Sequence, residues 1–219
     1  MADLKDWRGC APPKLSDVSG RYVRVVPYNS KRHADSLFRA IGGAGADDLW
    51  RFIPEQPPLS ADALAESYDA RTDWKIHVLL SLDGGSTLGT ASYMRIRPDQ
   101  GSAEIGNVIF SPALKRTPAA TEAMFLMARH LFEDLKYRRY EWKCDDANAP
   151  SKRAAERLGF SFEGVFRQDR VVKGLNRDTA WFSMLDCEWP KLKAAFNVWL
   201  DPKNFDPSGA QIRRLEDLR

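Results

Sequence analysis

The sequence is short of the features that mark membrane, secreted and metal-binding proteins. No apolar run approaches the roughly 18 residues that a transmembrane helix needs, and the strongest, His77–Leu82, has the length of a strand. The first six residues lack the basic and then apolar pattern of a secretory signal. Three cysteines and three histidines are widely scattered, which predicts neither a disulfide framework nor a metal site. We therefore expect a cytoplasmic protein with no membrane partner and no metal.

The chain also has almost no excess of one charge. It contains 33 lysines and arginines against 30 aspartates and glutamates, a net charge of +3 over 219 residues. So small an excess argues against a nucleic-acid partner. The basic pairs Lys152-Arg153 and Arg213-Arg214 are the feature that a nucleic-acid-binding module would use. The composition, 43% hydrophobic and 29% charged, is typical of a globular protein.

Hydrophobic periodicity predicts one α+β domain over 21–200, between an N-terminal arm, 1–20, and a polar C-terminal tail, 201–219. Turn signals at Asp83–Gly85 and Pro98–Gly101 predict an antiparallel meander. The predicted strands are Tyr22–Val26, Lys75–Leu82, Thr87–Ile96, Ser102–Phe110, Tyr140–Cys144, Phe160–Val172 and Asp178–Asp186. The predicted helices are Ser30–Ile41, one that starts at Ser60, Pro118–Leu135, Ala149–Leu158 and Glu188–Leu200.

The start of the long helix has the chemistry of an anion site. Thr117 is a suitable N-cap and Pro118 suits the first helical position, where an N–H is not needed. Small side chains follow, and Lys115 and Arg116 precede the cap, so free amides and two cations could hold a phosphate. An ordinary capped helix start explains the same pattern.

A second polar segment follows the strand Tyr140–Cys144. Asn148 offers a donor and an acceptor, and Ser151 a hydroxyl, at the carboxyl end of a strand, where α/β sheets often bind ligands. Gly159 and Phe160 then end the helix and start the next strand. Alternatively, Asn148 only caps the helix and Ser151 only faces solvent.

These segments together resemble the GNAT superfamily of acetyl-CoA-dependent N-acetyltransferases. Glu104-Ile105-Gly106-Asn107-Val108-Ile109-Phe110 and Asn148…Ser151…Leu158-Gly159-Phe160 are similar to its RimJ/RimL-like branch, which acetylates protein N-termini. The resemblance covers about Arg21–Leu185. The phosphate loop departs from the usual Arg/Gln-x-x-Gly-x-Gly/Ala pattern, because Pro118 replaces the first glycine and removes one amide donor.

The resemblance implies a fold and a binding mode for acetyl-CoA as co-substrate. The mostly antiparallel, mixed sheet, with helices on both faces, would part between its fourth and fifth strands, and the pantetheine arm would pair with exposed backbone near Val108 and Phe110. Gly106-Asn107 is the expected bulge. Asn148 would bind the same arm, with Ser151 near the sulfur. The amides expected under the pyrophosphate are those of Arg116, Thr117, Ala119, Ala120 and Thr121.

For the chemistry, we predict Glu104 as general base and Ser151 as the acid that protonates the leaving thiolate. A solvent-facing carboxylate or a salt-bridge partner is the alternative for Glu104. Asp145 and Asp146 are reserve bases that suit loop capping as well. Trp50 is the residue expected to bind the amine acceptor, unless its ring belongs to the core.

The expected activity is acetyl transfer to a primary, α-type amine of a protein N-terminus or of a small aminoacyl metabolite. The alternative is a non-catalytic acyl-CoA-binding or regulatory module of the same fold. The terminal helix, with Trp199 and Leu200, would pack on the domain or on a second copy in a homodimer.

Overall fold

The structure, a computed structural model, describes residues 4–83 and 85–219. Residues 1–3 of the expected arm and Gly84 of the expected hairpin turn lie outside these ranges. Within them, the strands are β1 Val18–Ser19, β2 Arg24–Pro27, β3 Lys75–Leu80, β4 Thr87–Arg97, β5 Ser102–Phe110, β6 Arg139–Asp145, β7 Ser161–Val172 and β8 Leu175–Leu185. The α-helices are α1 Ser30–Ile41, α2 Asp47–Trp50, α3 Ala61–Asp69, α4 Pro118–Arg129, α5 Ala149–Leu158 and α6 Trp189–Trp199.

The strands form one sheet in the order β1-β2-β3-β4-β5-β6-β8-β7. Neighbours in the described part of this sheet are antiparallel except β5 and β6, which run parallel. A parallel pair needs a crossover connection, and α4 supplies it. The predicted α+β class and mixed, mostly antiparallel sheet are confirmed.

Local helix signals fix several boundaries. The bounds predicted for Ser30–Ile41 and Ala149–Leu158 agree with α1 and α5. α5 ends at Gly159, whose φ of 99° lies in the left-handed region that favours glycine. α4 starts at Pro118 as predicted, but continues from His130 to Asp134 as a π-helix rather than as one regular α-helix.

Two apolar clusters cover opposite faces of the sheet, which confirms helices on both faces. Val78 belongs to the cluster under α1 and α3, whereas Leu79 belongs to the cluster under α4, α5 and α6. Consecutive strand residues point to opposite faces, so the clusters lie on either side. Trp199 and Leu200 are buried in the second of these clusters. The terminal helix therefore packs on its own domain, and a homodimer stays a prediction.

The sheet parts between β5 and β6. Their pairing reaches Ile105 and Trp142 and then stops, although β5 continues to Phe110 and β6 to Asp145. The expected parting of the fourth and fifth predicted strands is therefore present. These strands are β5 and β6 in the structure, because the structure adds a strand, β1, that was not predicted.

A β-bulge in β5 marks this parting. Between Gly106 and Ile109, β5 has one residue more than the paired stretch of β4. Asn107 takes a φ of 48°, a conformation that asparagine tolerates better than most residues. Its amide nitrogen donates to the Tyr68 hydroxyl of α3 at 3.0 Å. The bulge predicted at Gly106-Asn107 is confirmed, and α3 holds it in place.

The two chain ends pack on the domain. Leu15 is buried, and Val18–Ser19 adds strand β1 to the sheet. After α6, Leu215 is buried, and the Asn204 side chain donates to the Trp199 carbonyl at 3.2 Å. The segments predicted as an arm and a polar tail are thus built into the packing.

Glu122 of α4 fastens the N-terminal segment to the helix. Its buried carboxylate accepts hydrogen bonds from the amides of Arg21, Tyr22 and Val23 at 2.7, 2.6 and 3.0 Å. A Cβ at Gly20 would lie 2.3 Å from this carboxylate, so only glycine allows so close an approach.

Among the residues that the structure describes, no helix is long and apolar enough to cross a bilayer.

Candidate active site

A cleft of about 1430 Å³ opens where β5 and β6 part. Its walls come from β5, β6, β8, the starts of α4 and α5, and the segment between α2 and α3. Of the residues predicted for the site, those that line the cleft are Glu104, Val108, Phe110, Arg116, Thr117, Ala120, Thr121, Asn148 and Ser151. Ala119 and Trp50 are outside its lining. Most of the predicted set therefore meets in one place.

The open edge of β5 faces the gap. Ser111 donates its amide to the Leu88 carbonyl at 2.9 Å, so the main-chain groups of Ser111 point to β4. Main-chain groups of successive strand residues point alternately to either side. Those of Phe110 consequently point away from β4, toward the gap, and Val108, in the bulge, lines the same cleft.

The start of α4 leaves fewer free amides than the sequence suggests. The Thr117 hydroxyl accepts from the Ala120 amide at 3.3 Å, and the Thr117 amide donates to Leu114. The Thr121 amide enters the helix ladder, since the N-cap carbonyl accepts from four residues on. Within the described chain, the amides of Arg116 and Ala119 have no hydrogen-bond partner. These two remain available to an anion.

Glu104 lies on the cleft floor in an ion pair. Its Oε2 is 2.8 Å from Lys143 Nζ, which also lies 2.7 Å from Glu141 Oε2 and 4.0 Å from the centre of the Trp181 ring. The salt-bridge reading of Glu104 thus holds for one oxygen. Oε1 makes no hydrogen bond to the described chain and lies where a Cβ on Gly106 would come within 3.2 Å. One carboxylate oxygen of this cleft-lining residue is therefore left without a hydrogen-bond partner in the described chain.

Glu141 anchors the other side of Lys143. It accepts from Arg97 at 2.6 Å and from Arg139 at 2.9 Å, and its side chain is almost wholly buried. Burial alone would raise the pKa of Glu141, but hydrogen bonds from Lys143 and Arg139 outweigh it and lower the pKa. Glu141 stays ionised at neutral pH and holds Lys143 in position.

The start of α5 combines capping with open donors. Asn148 Oδ1 accepts from the Ser151 amide at 3.1 Å, so the capping alternative is correct for this oxygen. Its Nδ2 has no partner within residues 4–83 and 85–219. The Ser151 hydroxyl oxygen accepts from Trp142 Nε1 at 3.0 Å, which fixes the position of this oxygen.

The reserve carboxylates act as loop groups. Asp145 Oδ1 accepts from the Ala147 amide at 2.9 Å, and Asp146 Oδ1 pairs with Lys152 at 2.9 Å. Asp145 lines the cleft and Asp146 does not. These contacts favour the capping interpretation of both residues.

Trp50 lies in the core, so the prediction that it binds the amine acceptor is wrong. The ring is 4% exposed in the cluster under α1 and α3, and Nε1 donates to the Ile41 carbonyl at 2.6 Å. A buried indole with a satisfied N–H has no face to offer an acceptor. Phe52 and Trp74 are the aromatic residues of this region that line the cleft.

Three cleft residues were missed by sequence reasoning: Lys143, Trp181 and Arg157. Lys143 follows Glu141 by two residues on a strand, which places both on one face, and this spacing was a usable signal. Arg157 follows Arg153 by four residues on α5, the spacing of neighbours on a helix face. Trp181 reaches the cleft only through the pairing of β8 with β6, which no local pattern reveals.

Metal ligands are not grouped in this region. In the part of the chain that the structure describes, no three His, Cys, Asp or Glu side chains are placed to share a metal ion.

Comparisons with known proteins agree with the fold and the cleft. The model of the acetyltransferase (GNAT) domain family matches residues 23–161. A Bacillus subtilis (strain 168) protein named ribosomal N-acetyltransferase YdaF is 30% identical over 148 residues, 64% of this chain and 78% of that protein.

Solved structures extend the similarity over nearly the whole chain. A GCN5-related N-acetyltransferase from Brucella melitensis is 44% identical, with a TM-score of 0.94, over 98% of this chain and 99% of its own. A protein described as a GNAT-family acetyltransferase from Chromobacterium violaceum ATCC 12472 is 41% identical, with a TM-score of 0.81, over 87% and 96%. The chain is an acetyltransferase that belongs to the GNAT family, within which it resembles the RimJ/RimL-like branch.

Proposed function

We propose that this enzyme transfers the acetyl group of acetyl-CoA to a primary α-amine, of a protein N-terminus or of a small aminoacyl metabolite, by direct attack in a ternary complex. The observation that carries the proposal is the parting of β5 and β6 beside the start of α4. It brings an open strand edge, the unpartnered amide of Arg116 and the Glu104 carboxylate into one cleft, and the unpartnered amide of Ala119 lies between the lining residues Pro118 and Ala120.

The residues of the cleft fit acetyl-CoA, which supplies an acetyl thioester. Main-chain groups of Val108 and Phe110 would pair with the amides of the pantetheine arm, and Asn148 Nδ2 would donate to the same arm. The amides of Arg116 and Ala119, at the positive end of α4, suit the pyrophosphate. Only two of the five amides expected under the pyrophosphate lack a partner in the described chain. We therefore include the Arg116 side chain, which also lines the cleft, as a further phosphate contact.

Glu104 is proposed as the base that takes a proton from the amine, directly or through water. Its Oε1 is free to accept that proton, while Oε2 stays bonded to Lys143. Because Glu141 fixes Lys143, the carboxylate has one orientation in the cleft. Ser151, fixed by Trp142, would donate its proton to the departing thiolate.

Cys144 also lines the cleft, and its environment favours direct transfer over an acetylated cysteine. Thiolates, not thiols, are nucleophiles, and burial raises the pKa of the Cys144 thiol, although a hydrogen bond from Ser151 opposes this shift. The thiol is therefore neutral at pH 7, and a free amine is the better nucleophile there.

An α-amine suits a site with a single carboxylate base. At pH 7, an amine of pKa about 7.8 is roughly one-seventh neutral, whereas a lysine of pKa about 10.4 is neutral in about four molecules per ten thousand. Forming the neutral amine at pH 7 therefore costs a lysine acceptor about 3.5 kcal/mol more free energy than an α-amine. The name of the Bacillus subtilis relative, a ribosomal N-acetyltransferase, supports an amine of the ribosome rather than a small metabolite as the acceptor.

The test is a thiol-release screen with acetyl-CoA against N-terminal peptides, free amino acids, aminoacyl nucleotides and polyamines, with mass spectrometry of the products. We expect turnover with at least one α-amine and N-terminal rather than side-chain acetylation. Coenzyme A binding without thiol release from any acceptor would instead identify a regulatory module. Exclusive acetylation of lysine ε-amines would contradict the α-amine assignment.

A further inference from the structure

We propose that Arg157 binds a phosphate of the nucleotide end of coenzyme A, and that the C-terminal segment 201–219 holds it in the position to do so. The proposal rests on the proposed function, since it assigns a residue to the same coenzyme.

Arg157 is a cation that forms no ion pair with the described residues. Its Nη1 donates to Thr121 Oγ1 at 3.0 Å, and its guanidinium lies 4.7 Å from the centre of the Trp199 ring. No carboxylate comes within 4.0 Å of it in residues 4–83 and 85–219. Burial lowers the pKa of Arg157 and outweighs the attraction of Glu216, and the charge of Arg219 acts in the same direction as burial, yet arginine stays charged at any ordinary pH. A half-buried, unpaired guanidinium is stabilised by an anion.

The position of Arg157 brings it to the coenzyme side of the cleft. Thr121, its hydrogen-bond partner, lies in the first turn of α4, next to the unpartnered amide of Ala119. Lys115, Arg116 and Arg153 line the same wall. The cleft-lining residues of α4, α5 and the C-terminal segment include no aspartate or glutamate. Four basic side chains are therefore gathered on this wall, which favours a polyphosphate ligand.

The C-terminal segment fixes the indole on which Arg157 stacks. Trp199 Nε1 donates to Gln211 Oε1 at 2.8 Å, and the Phe205 ring packs edge-on against Trp199 at 5.1 Å. Gly209, Ala210 and Gln211 also line the cleft themselves. The segment thus forms part of the cleft wall and limits the rotamers that Arg157 can adopt, which prepares the planar fork for a phosphate.

The test is isothermal titration calorimetry of the full chain with coenzyme A, dephospho-coenzyme A and pantetheine. Arg157→Gln should weaken coenzyme A binding about 10- to 100-fold, the range expected for a charge-assisted hydrogen-bonded contact. Arg157→Lys should fall between, because lysine keeps the charge and loses the fork. Pantetheine, which has no phosphate, should bind each variant as it binds the unchanged protein.

The ligand set identifies the phosphate. Equal losses for coenzyme A and dephospho-coenzyme A indicate the pyrophosphate, whereas a loss for coenzyme A alone indicates the 3′-phosphate; either supports the proposal. Lys152→Gln, five residues earlier on α5 and paired with Asp146 outside the cleft, is the matched control and should bind normally.

Two outcomes would overturn the assignment of Arg157. The first is unchanged coenzyme A affinity in Arg157→Gln and Arg157→Lys, and the second is an equal loss of pantetheine binding, which would show a structural role. If Arg157→Gln does not fold, Arg157→Lys decides alone. Failure of the unchanged protein to bind coenzyme A would refute the proposed function itself, so the two failures are distinguishable.

Discussion

Replacing Glu104 with glutamine tests the chemical core of the proposal. Glutamine keeps the size of the side chain and can still accept from Lys143, but it cannot take a proton from the amine. Lys143 also keeps Glu141 at 2.7 Å. The ion pair is therefore weakened rather than abolished, and we expect a loss of about 1–3 kcal/mol in the free energy of unfolding, below the range for a fully orphaned buried charge. The variant should fold at 25 °C.

The expected kinetic effect is much larger than the structural one. A positioned general base contributes roughly 10²–10⁴-fold, and an α-amine needs its help least, so kcat of Glu104→Gln should fall about 100-fold at pH 7. The KM for acetyl-CoA should hardly change, because the ion pairs of Glu104 in the described chain are with Lys143 and Arg95, and neither lies at the start of α4 or α5. Raising the pH to 9 increases the neutral fraction of an α-amine about sevenfold and thus restores only part of the loss.

The assay is thiol release with a peptide α-amine identified in the screen, at pH 7 and pH 9. Glu55→Gln is the control, since Glu55 also lines the cleft but pairs with Arg71, and its kcat should stay within about twofold. A Glu104→Gln enzyme that keeps half or more of the original kcat at pH 7 would remove Glu104 as the base and leave it only its salt bridge.

Three further predictions concern the framework. Glu122→Gln should lower Tm by roughly 5–15 °C in calorimetry, because the amides of residues 21–23 lose a charged acceptor; an unchanged Tm would contradict this. Burial lowers the pKa of His77 to about 4, so the unfolded chain takes up a proton at higher pH than the folded one, and stability should fall by up to about 3 kcal/mol from pH 6.5 toward pH 4. Urea unfolding should show a flatter pH dependence for His77→Asn, and parallel curves would refute the assignment. Tyr68→Phe removes the hydrogen bond to the Asn107 side chain, which holds the bulge of β5, and should raise the KM for acetyl-CoA about 3- to 10-fold. An unchanged KM would show that the bulge keeps its conformation without this hydrogen bond.

Local chemistry explains what the sequence could predict. The bounds of α1 and α5 and the bulge at Asn107 depend on caps, glycines and side-chain alternation within a few residues. The cleft could be placed because its residues follow directly from those elements. The same short-range logic overestimated the free amides at the start of α4, since the N-cap, the helix ladder and a turn bond to Leu114 use three of them.

Contacts between distant parts of the chain explain the features that the sequence could not predict. Glu122 binds amides about 100 residues earlier, and Gln211 holds Trp199 from a segment that is polar in composition. The core position of Trp50 depends on the packing of α1 and α3, which aromatic content alone does not specify. Such pairings are decided by tertiary packing, and a single sequence gives no pattern for them.

The strand order has a consequence for synthesis. β8 lies between β6 and β7, yet it is the last of the three to be made. A nascent chain that has left the ribosome as far as Val172 leaves one edge of β6 unpaired and β7 without any neighbour, because β7 pairs only with β8. The growing polypeptide therefore passes through an aggregation-prone interval that ends only when Leu185 emerges, and a fragment cut at residue 161, where the family match stops, would keep β6 permanently without that neighbour.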